Sequence, residues 1–211
     1  MKESEISLID FIYFDLGKVI VDFDHDIACR AIGEATGLNP DEVKSAIFDF
    51  GWEVKYESGL ISSDQFHQHF CDVTKTNLAK SQFLSYVGDV FSPNQRIFPL
   101  LTQLKARNFP MGILSNTCPA HWDHVVRHFK VVGQFFEPLI LSYQVQSMKP
   151  EQKIYDAAIE QAGCQTKNVF FVDDRQENVE GAIAAGMDAV LYTSVPNLMR
   201  DLESRGVELN L

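Results

Sequence analysis

The stretch Phe11-Ile12-Tyr13-Phe14-Asp15-Leu16-Gly17 decides how this chain is read. An apolar, β-favouring run ends abruptly in a carboxylate, and a glycine able to make a tight turn follows. The same design recurs downstream. Met111-Gly112-Ile113-Leu114 ends in Ser115, Val169-Phe170-Phe171-Val172 ends in the pair Asp173-Asp174, and Leu139-Ile140-Leu141 is followed further on by Lys149. Short continuous apolar runs of this kind are strands buried on both faces, the pattern of a parallel sheet. Open parallel sheets bind ligands beyond the carboxyl ends of their strands. One edge of the sheet would then carry a carboxylate, a hydroxyl, an ammonium and two further carboxylates, a set suited to handling phosphate.

Between the first two of these strands the pattern is helical. Val19-Ile20-Val21 suggests a short extended flap, and Asp22-Phe23-Asp24 leads into a helix with Ile27, Ala31, Ile32 and Ala35 on one face, stopped at Gly37. Pro40 opens a second helix through Val43, Ile47 and Phe48. Ser62 and Gln65 form a capping box ahead of a face made by Phe66, Phe70 and Val73, and another helix is expected from about Ala79 to Phe91. Residues 25–91 therefore read as a small all-helical insert, with 1–24 and 92–211 forming an α/β core. In that core, helices through Ile97–Leu104 and Trp122–Phe129 alternate with the strands. Pro150 is placed at the first position of a helix that stops near Gly163, and the helix through Val179, Ala182 and Ile183 ends at Gly186 before a final strand at Ala189–Tyr192. Repeated strand–helix units predict a doubly wound parallel sheet with right-handed crossovers.

Bulk properties narrow the function. A net charge of −11 and a pI near 4.9 argue against a general nucleic-acid or anionic-membrane surface. Cys29, Cys71, Cys118 and Cys164 include no C-x-x-C pair, which argues against a zinc ribbon or thioredoxin-like centre. The acidic start Met1-Lys2-Glu3-Ser4-Glu5 is unlike a signal peptide, and no apolar run approaches membrane-spanning length. The expectation is a cytoplasmic protein, monomer or homodimer, acting on a small molecule.

Four stretches in this order, Phe14-Asp15-Leu16-Gly17-Lys18-Val19, Leu114-Ser115-Asn116-Thr117, Met148-Lys149-Pro150 and Val172-Asp173-Asp174-Arg175, resemble the motifs of the haloacid dehalogenase-type (HAD) superfamily. Most of its members are magnesium-dependent phosphatases, and the resemblance covers nearly the whole chain. It implies a nucleophilic Asp15, a Mg²⁺ ion held by Asp15, Asp174 and the backbone carbonyl of Gly17, and Asp173 supporting the ligands from behind. Carboxylates plus substrate and water suit magnesium, which takes oxygen ligands at about 2.1 Å. It also implies that Lys149 neutralises nucleophile and phosphate together and that the helical insert is a cap selecting the substrate. Ser115 and the backbone of Asn116 would hold phosphate oxygens, and Tyr56 and Glu57, in a patch with Trp52, Lys55 and Gly59, would contact substrate.

The chain departs from the family pattern at Gly17, where phosphatases carry a second aspartate that protonates the leaving oxygen and then activates water. Acid–base catalysis of this kind is worth about 10²–10⁴ in rate. Branches beginning Asp-Leu-Gly resemble sugar-1-phosphate phosphatases, and the vacant position predicts that Gly17→Asp would raise turnover on poor leaving groups. Two other readings stay open: a catalytically weak phosphate-binding or regulatory protein, and a phosphonate hydrolase using Lys55 or Lys44 as a Schiff base. His121, His124 and His128 are expected as polar positions on a helix and Cys118 as a bystander.

Overall fold

The structure, a computed structural model, describes residues 8–209. The acidic start at Met1–Glu5 lies outside the described residues. In chain order the elements are β1 (Phe11–Phe14), β2 (Val21–Phe23), α1 (His25–Thr36), α2 (Pro40–Phe48), α3 (Trp52–Glu57), α4 (Ser63–Thr74), α5 (Lys80–Gly88) and β3 (Phe91–Pro93). Then come α6 (Phe98–Ala106), β4 (Met111–Ser115), α7 (Pro119–His128), α8 (Lys130–Phe135), β5 (Leu139–Leu141), α9 (Ser142–Val145), α10 (Gln152–Ala162), β6 (Val169–Asp173), α11 (Gln176–Ala184), β7 (Asp188–Leu191) and α12 (Val195–Glu203). Among the described residues no helix is long and apolar enough to cross a membrane.

Five parallel strands form one sheet in the order β5-β4-β1-β6-β7. Alternate side chains of a strand point to opposite faces, and the two cores follow that rule. Ile12 and Phe14 join Ile113, Phe170 and Val172 under α6, α7, α8 and α12, whereas Phe11 and Tyr13 join Leu114, Val169 and Phe171 under α10 and α11. Helices on both faces make the sheet doubly wound. Phe14 is level with Ile113 on one side and Val172 on the other, so the residues that follow these strands emerge at one edge.

Helices α1–α5 build a core of their own around Ile32, Ile47, Phe66, Phe70 and Phe83. Their ends carry the expected signals. Asn39 and Glu42 make a capping box before α2, and Ser62 and Gln65 make another before α4. Strands β2 and β3 pair antiparallel on either side of this lobe in the chain.

Several expectations change. Helix α1 buries Ala28, Cys29, Ile32 and Gly33, while Ile27 and Ala35 face solvent. Gly33 dictates this rotation, since a Cβ there would lie 2.8 Å from the Leu38 carbonyl oxygen. Val73 likewise points outward from α4. Helix α5 stops at Gly88, which leaves Phe91 to pair in β3. Helix α10 starts at Gln152, so Pro150 lies in the preceding loop. The Lys149 backbone is held there by the Asn116 side chain, which accepts its N–H (2.8 Å) and donates to its carbonyl (3.0 Å). Helix α12 was not anticipated, although Ser194 caps it, Pro196 lies in its first turn, and Leu198 and Leu202 bury one side.

Candidate active site

Asp15 follows β1 directly, and its N–H extends the ladder to the Val172 carbonyl (2.9 Å). Lys149 reaches in from the loop before α10. Its ammonium donates to Asp15 Oδ1 (2.8 Å), Asp173 Oδ2 (2.6 Å) and the Leu114 carbonyl (2.9 Å), which uses all three of its protons. The lysine side chain is 1% exposed and that of Asp173 fully buried. Asp173 is further fixed by the Asn178 side-chain amide, 3.0 Å from each of its oxygens, and by the Arg175 N–H at 2.8 Å. Asn178 had no signal in the motif, but it lies in the first turns of the helix that follows the Asp-Asp pair.

Burial pushes the Asp15 carboxyl up to about 7; Lys149 opposes this shift, while Asp173 and Asp174 add to it. Burial penalises the charged form of Lys149, yet the two carboxylates outweigh that penalty and hold it above the ordinary lysine value. Asp174 is half-buried and also shifted upward, by burial first and Asp173 second. Carboxylate oxygens of Asp15, Asp173 and Asp174 all lie within 4.8 Å of one another. Three crowded carboxylates with one ammonium between them form an acidic site that a divalent cation would relieve. The all-oxygen donor set suits magnesium rather than zinc. With Asp173 taken up by Lys149 and Asn178, Asp15 and Asp174 are left as the carboxylates that could hold an ion.

A small pocket of about 60 Å³ opens over this edge, lined by Gly17, Phe23, His25, Glu57, Ser115, Asn116, Thr117 and His121 among others. Ser115 is buried and its hydroxyl makes only a long contact (3.3 Å) to the Asn116 carbonyl. The Asn116 side chain is consumed in clamping Lys149, which leaves its backbone as the part that can meet a ligand. Thr117 Oγ1 is buried without a partner among the described residues, a hydroxyl that sequence reasoning passed over. At Gly17 a Cβ would lie 2.9 Å from Phe23 Cε1. The space beside position 17 is therefore filled by an aromatic ring, which a side chain at that position would have to displace.

The lobe α1–α5 meets the site through the end of α3. The Ser142 hydroxyl accepts the Thr117 N–H (2.9 Å), and its own proton lies between the carbonyls of Glu57 (2.7 Å) and Thr117 (3.0 Å). Gly59, with φ of 68°, packs so tightly on the Tyr143 carbonyl that a Cβ would come within 2.2 Å of its oxygen. Glu57 is thereby brought to the pocket, and burial, with Glu53 and Asp15 adding, pushes its carboxyl up to about 8. Tyr56, expected to contact substrate, instead points into the lobe's core. Its ring stacks on Phe66 and its hydroxyl bonds Ser63 Oγ (2.7 Å). The cause is helical periodicity: residues 52–57 are helix rather than loop, so neighbours 56 and 57 face different ways. Trp52 stacks on His69.

Neither lysine proposed for a Schiff base lines the pocket. Lys55 lies over the Trp52 ring and Lys44 pairs with Asp26 at the surface. His121 is buried against His25 and Phe91 rather than on a polar face, and burial pushes it down to about 3. His124 and His128 stack on each other, and among the described residues the histidines form no metal cluster. Burial raises the Cys118 thiol well above its usual value, in keeping with an inert role.

Fold and site together describe an α/β enzyme with a buried, lysine-paired carboxylate at the end of its central strand. The chain belongs to the haloacid dehalogenase-like hydrolase family, whose pattern matches residues 12–192. It is 27% identical over 181 residues to the D-ribitol-5-phosphate phosphatase of Bacteroides thetaiotaomicron, covering 82% of this chain and 86% of that protein. A Mycobacterium tuberculosis protein named as a phosphatase is 24% identical over 215 residues, covering 96% and 97%. A HAD-family enzyme of Bacteroides thetaiotaomicron, solved in complex with magnesium and inorganic phosphate, shares the fold with a TM-score of 0.80 at 23% identity, over 91% of this chain and 100% of that one.

Proposed function

We propose that this chain is a magnesium-dependent phosphomonoester hydrolase that acts on a small phosphorylated metabolite through an aspartyl phosphate on Asp15. The observation that carries this reading is the Lys149 ammonium bridging Asp15 and Asp173, with Asp174 close enough to share a cation with Asp15. Magnesium held by Asp15, Asp174 and the Gly17 carbonyl would supply the charge that lets a carboxylate approach a phosphate dianion. Phosphoryl transfer asks a protein chiefly for positioning and charge neutralisation. Asp15 Oδ attacks phosphorus, Lys149 steadies the charge shared by nucleophile and phosphate, and Ser115 with the Asn116 backbone orients the phosphate oxygens. Water then cleaves the aspartyl phosphate, so one hard step becomes two easier ones.

Residues 25–91 act as a cap. A pocket of about 60 Å³ has room for a phosphate group and not for a sugar phosphate, since ordinary ligand sites span roughly 300–1,000 Å³. The lobe must therefore swing away to admit substrate and close to exclude water. The ribitol-phosphate phosphatase relative supports a sugar or polyol phosphate as substrate. Four unpaired cysteines are in keeping with a cytoplasmic setting.

The test is phosphate release from a panel of sugar and polyol phosphates with Mg²⁺, with chelator, and in Asp15→Asn. Release that needs the metal and falls at least 10³-fold in Asp15→Asn is expected. Unchanged release from Asp15→Asn would defeat the aspartyl-phosphate reading, and phosphate binding without turnover would favour a binding module.

A further inference from the structure

An alkoxide is a poor leaving group, so hydrolysis of an alkyl phosphate needs a proton donor at the leaving oxygen. Position 17 offers no side chain, and Phe23 fills the space beside it. The other groups at the carboxyl edge are occupied. All three Lys149 protons are spent on fixed acceptors, Asp173 accepts from Lys149, Asn178 and Arg175, and Asp15 and Asp174 border the acidic site. Three titratable side chains remain in the pocket wall: His25, His121 and Glu57. Burial lowers both histidines, His121 to about 3, and so favours the neutral form of each.

Glu57 differs in position and in surroundings. It is the last residue of α3, and its carbonyl is tied by the Ser142 hydroxyl to Thr117, two residues from the phosphate-facing Ser115. Its carboxylate has no hydrogen-bond partner among the described residues. Glu57 lines the pocket together with Gly17, Ser115 and Thr117 and comes from the lobe that meets that edge. Resting on the phosphatase reading above, we propose that Glu57 is the acid–base residue of this enzyme, supplied by the cap in place of a side chain at position 17.

Bonds and protons balance as follows. Asp15 Oδ forms its bond to phosphorus while the ester P–O bond breaks, its electron pair going to the leaving oxygen. That oxygen takes the Glu57 proton and departs as the alcohol. The Glu57 carboxylate next accepts a proton from water as the water oxygen bonds to phosphorus. The Asp15–phosphorus bond breaks, its pair returning to the carboxylate, and protonated Glu57 is restored. The charged groups facing Glu57 are Glu53 on its own helix, Asp15 after β1, Arg175 after β6 and Lys149 before α10. Burial and the two acids favour the protonated form, and the two cations oppose it. With a value near 8 the acid is loaded at neutral pH.

The test compares n-butyl phosphate with p-nitrophenyl phosphate, whose leaving group needs no proton, using the full chain with Mg²⁺. The parent should lose kcat on butyl phosphate as pH rises through about 8. Glu57→Gln should lose that limb and about 10²–10⁴ in kcat on butyl phosphate. On p-nitrophenyl phosphate it should release one equivalent of nitrophenol in a burst and then turn over slowly, because the aspartyl phosphate forms but lacks its base. Parent-like rates, or equal losses on both esters with no burst, would overturn the assignment. Should Glu57→Gln fail to fold, Glu57→Asp decides by the same comparison: loss on butyl phosphate with a nitrophenol burst on p-nitrophenyl phosphate supports it, and equal losses with no burst overturn it. Nitrophenol release that survives Asp15→Asn would instead defeat the underlying phosphatase reading.

Discussion

Replacing Lys149 with methionine keeps most of the apolar stem of the side chain but removes its charge. Two buried carboxylates, Asp15 and Asp173, then face each other with no ammonium between them. Breaking a buried pair by deleting one partner costs about 3–5 kcal/mol. The Asp15 carboxyl, raised to about 7 by burial even with Lys149 in place, would rise further without the ammonium. The sign follows from proton uptake. A carboxyl whose folded value is raised gains a proton on folding, so its penalty is full above the folded value and vanishes as pH falls towards the unfolded one. Lys149→Met should therefore be about 3–5 kcal/mol less stable than the parent at pH 8, and the gap should shrink to less than half at pH 5. Guanidinium unfolding in chelator measures it, with Trp122 reporting the core and Trp52 the helical lobe. A loss below about 1 kcal/mol at pH 8, or the same loss at both pH values, would refute the reasoning.

Two further substitutions probe how the lobe and the first motif are built. Gly17→Asp drives a Cβ to 2.9 Å from the Phe23 ring and should cost about 1–3 kcal/mol of stability as overpacking does. Pairing it with Phe23→Ala should recover the melting temperature; full stability of Gly17→Asp alone would count against this packing. Ser142→Ala leaves the Thr117 N–H and the Glu57 carbonyl without their shared hydroxyl and should cost about 1–3 kcal/mol. Amide exchange at Thr117 should accelerate in step, and an unchanged rate would show that the hydroxyl does not tie lobe to core.

Strands were legible because their signal is local: β1, β4, β5 and β6 are short apolar runs, and each names its own last residue. The capping box at Ser62 and Gln65 and the stop at Gly37 were legible for the same reason. Local periodicity faltered where the chain folded back on the end of a helix, as the Leu38 carbonyl does on α1 at Gly33. It faltered too at Pro150, where Asn116 holds the preceding backbone out of the helix from 33 residues away.

From the order of residues alone came the sheet, its polar edge and the chemical types gathered there. Tertiary structure decided which of those groups meet: Lys149 reaches Asp15 across 134 residues and Asp173 across 24. It also turned Tyr56 into the lobe's core while carrying its neighbour Glu57 to the pocket. Side-chain identity and strand ends are properties of a few adjacent residues. Partnership, burial and the proton affinities they set depend on where the chain returns, and that is fixed only when the packed layers close.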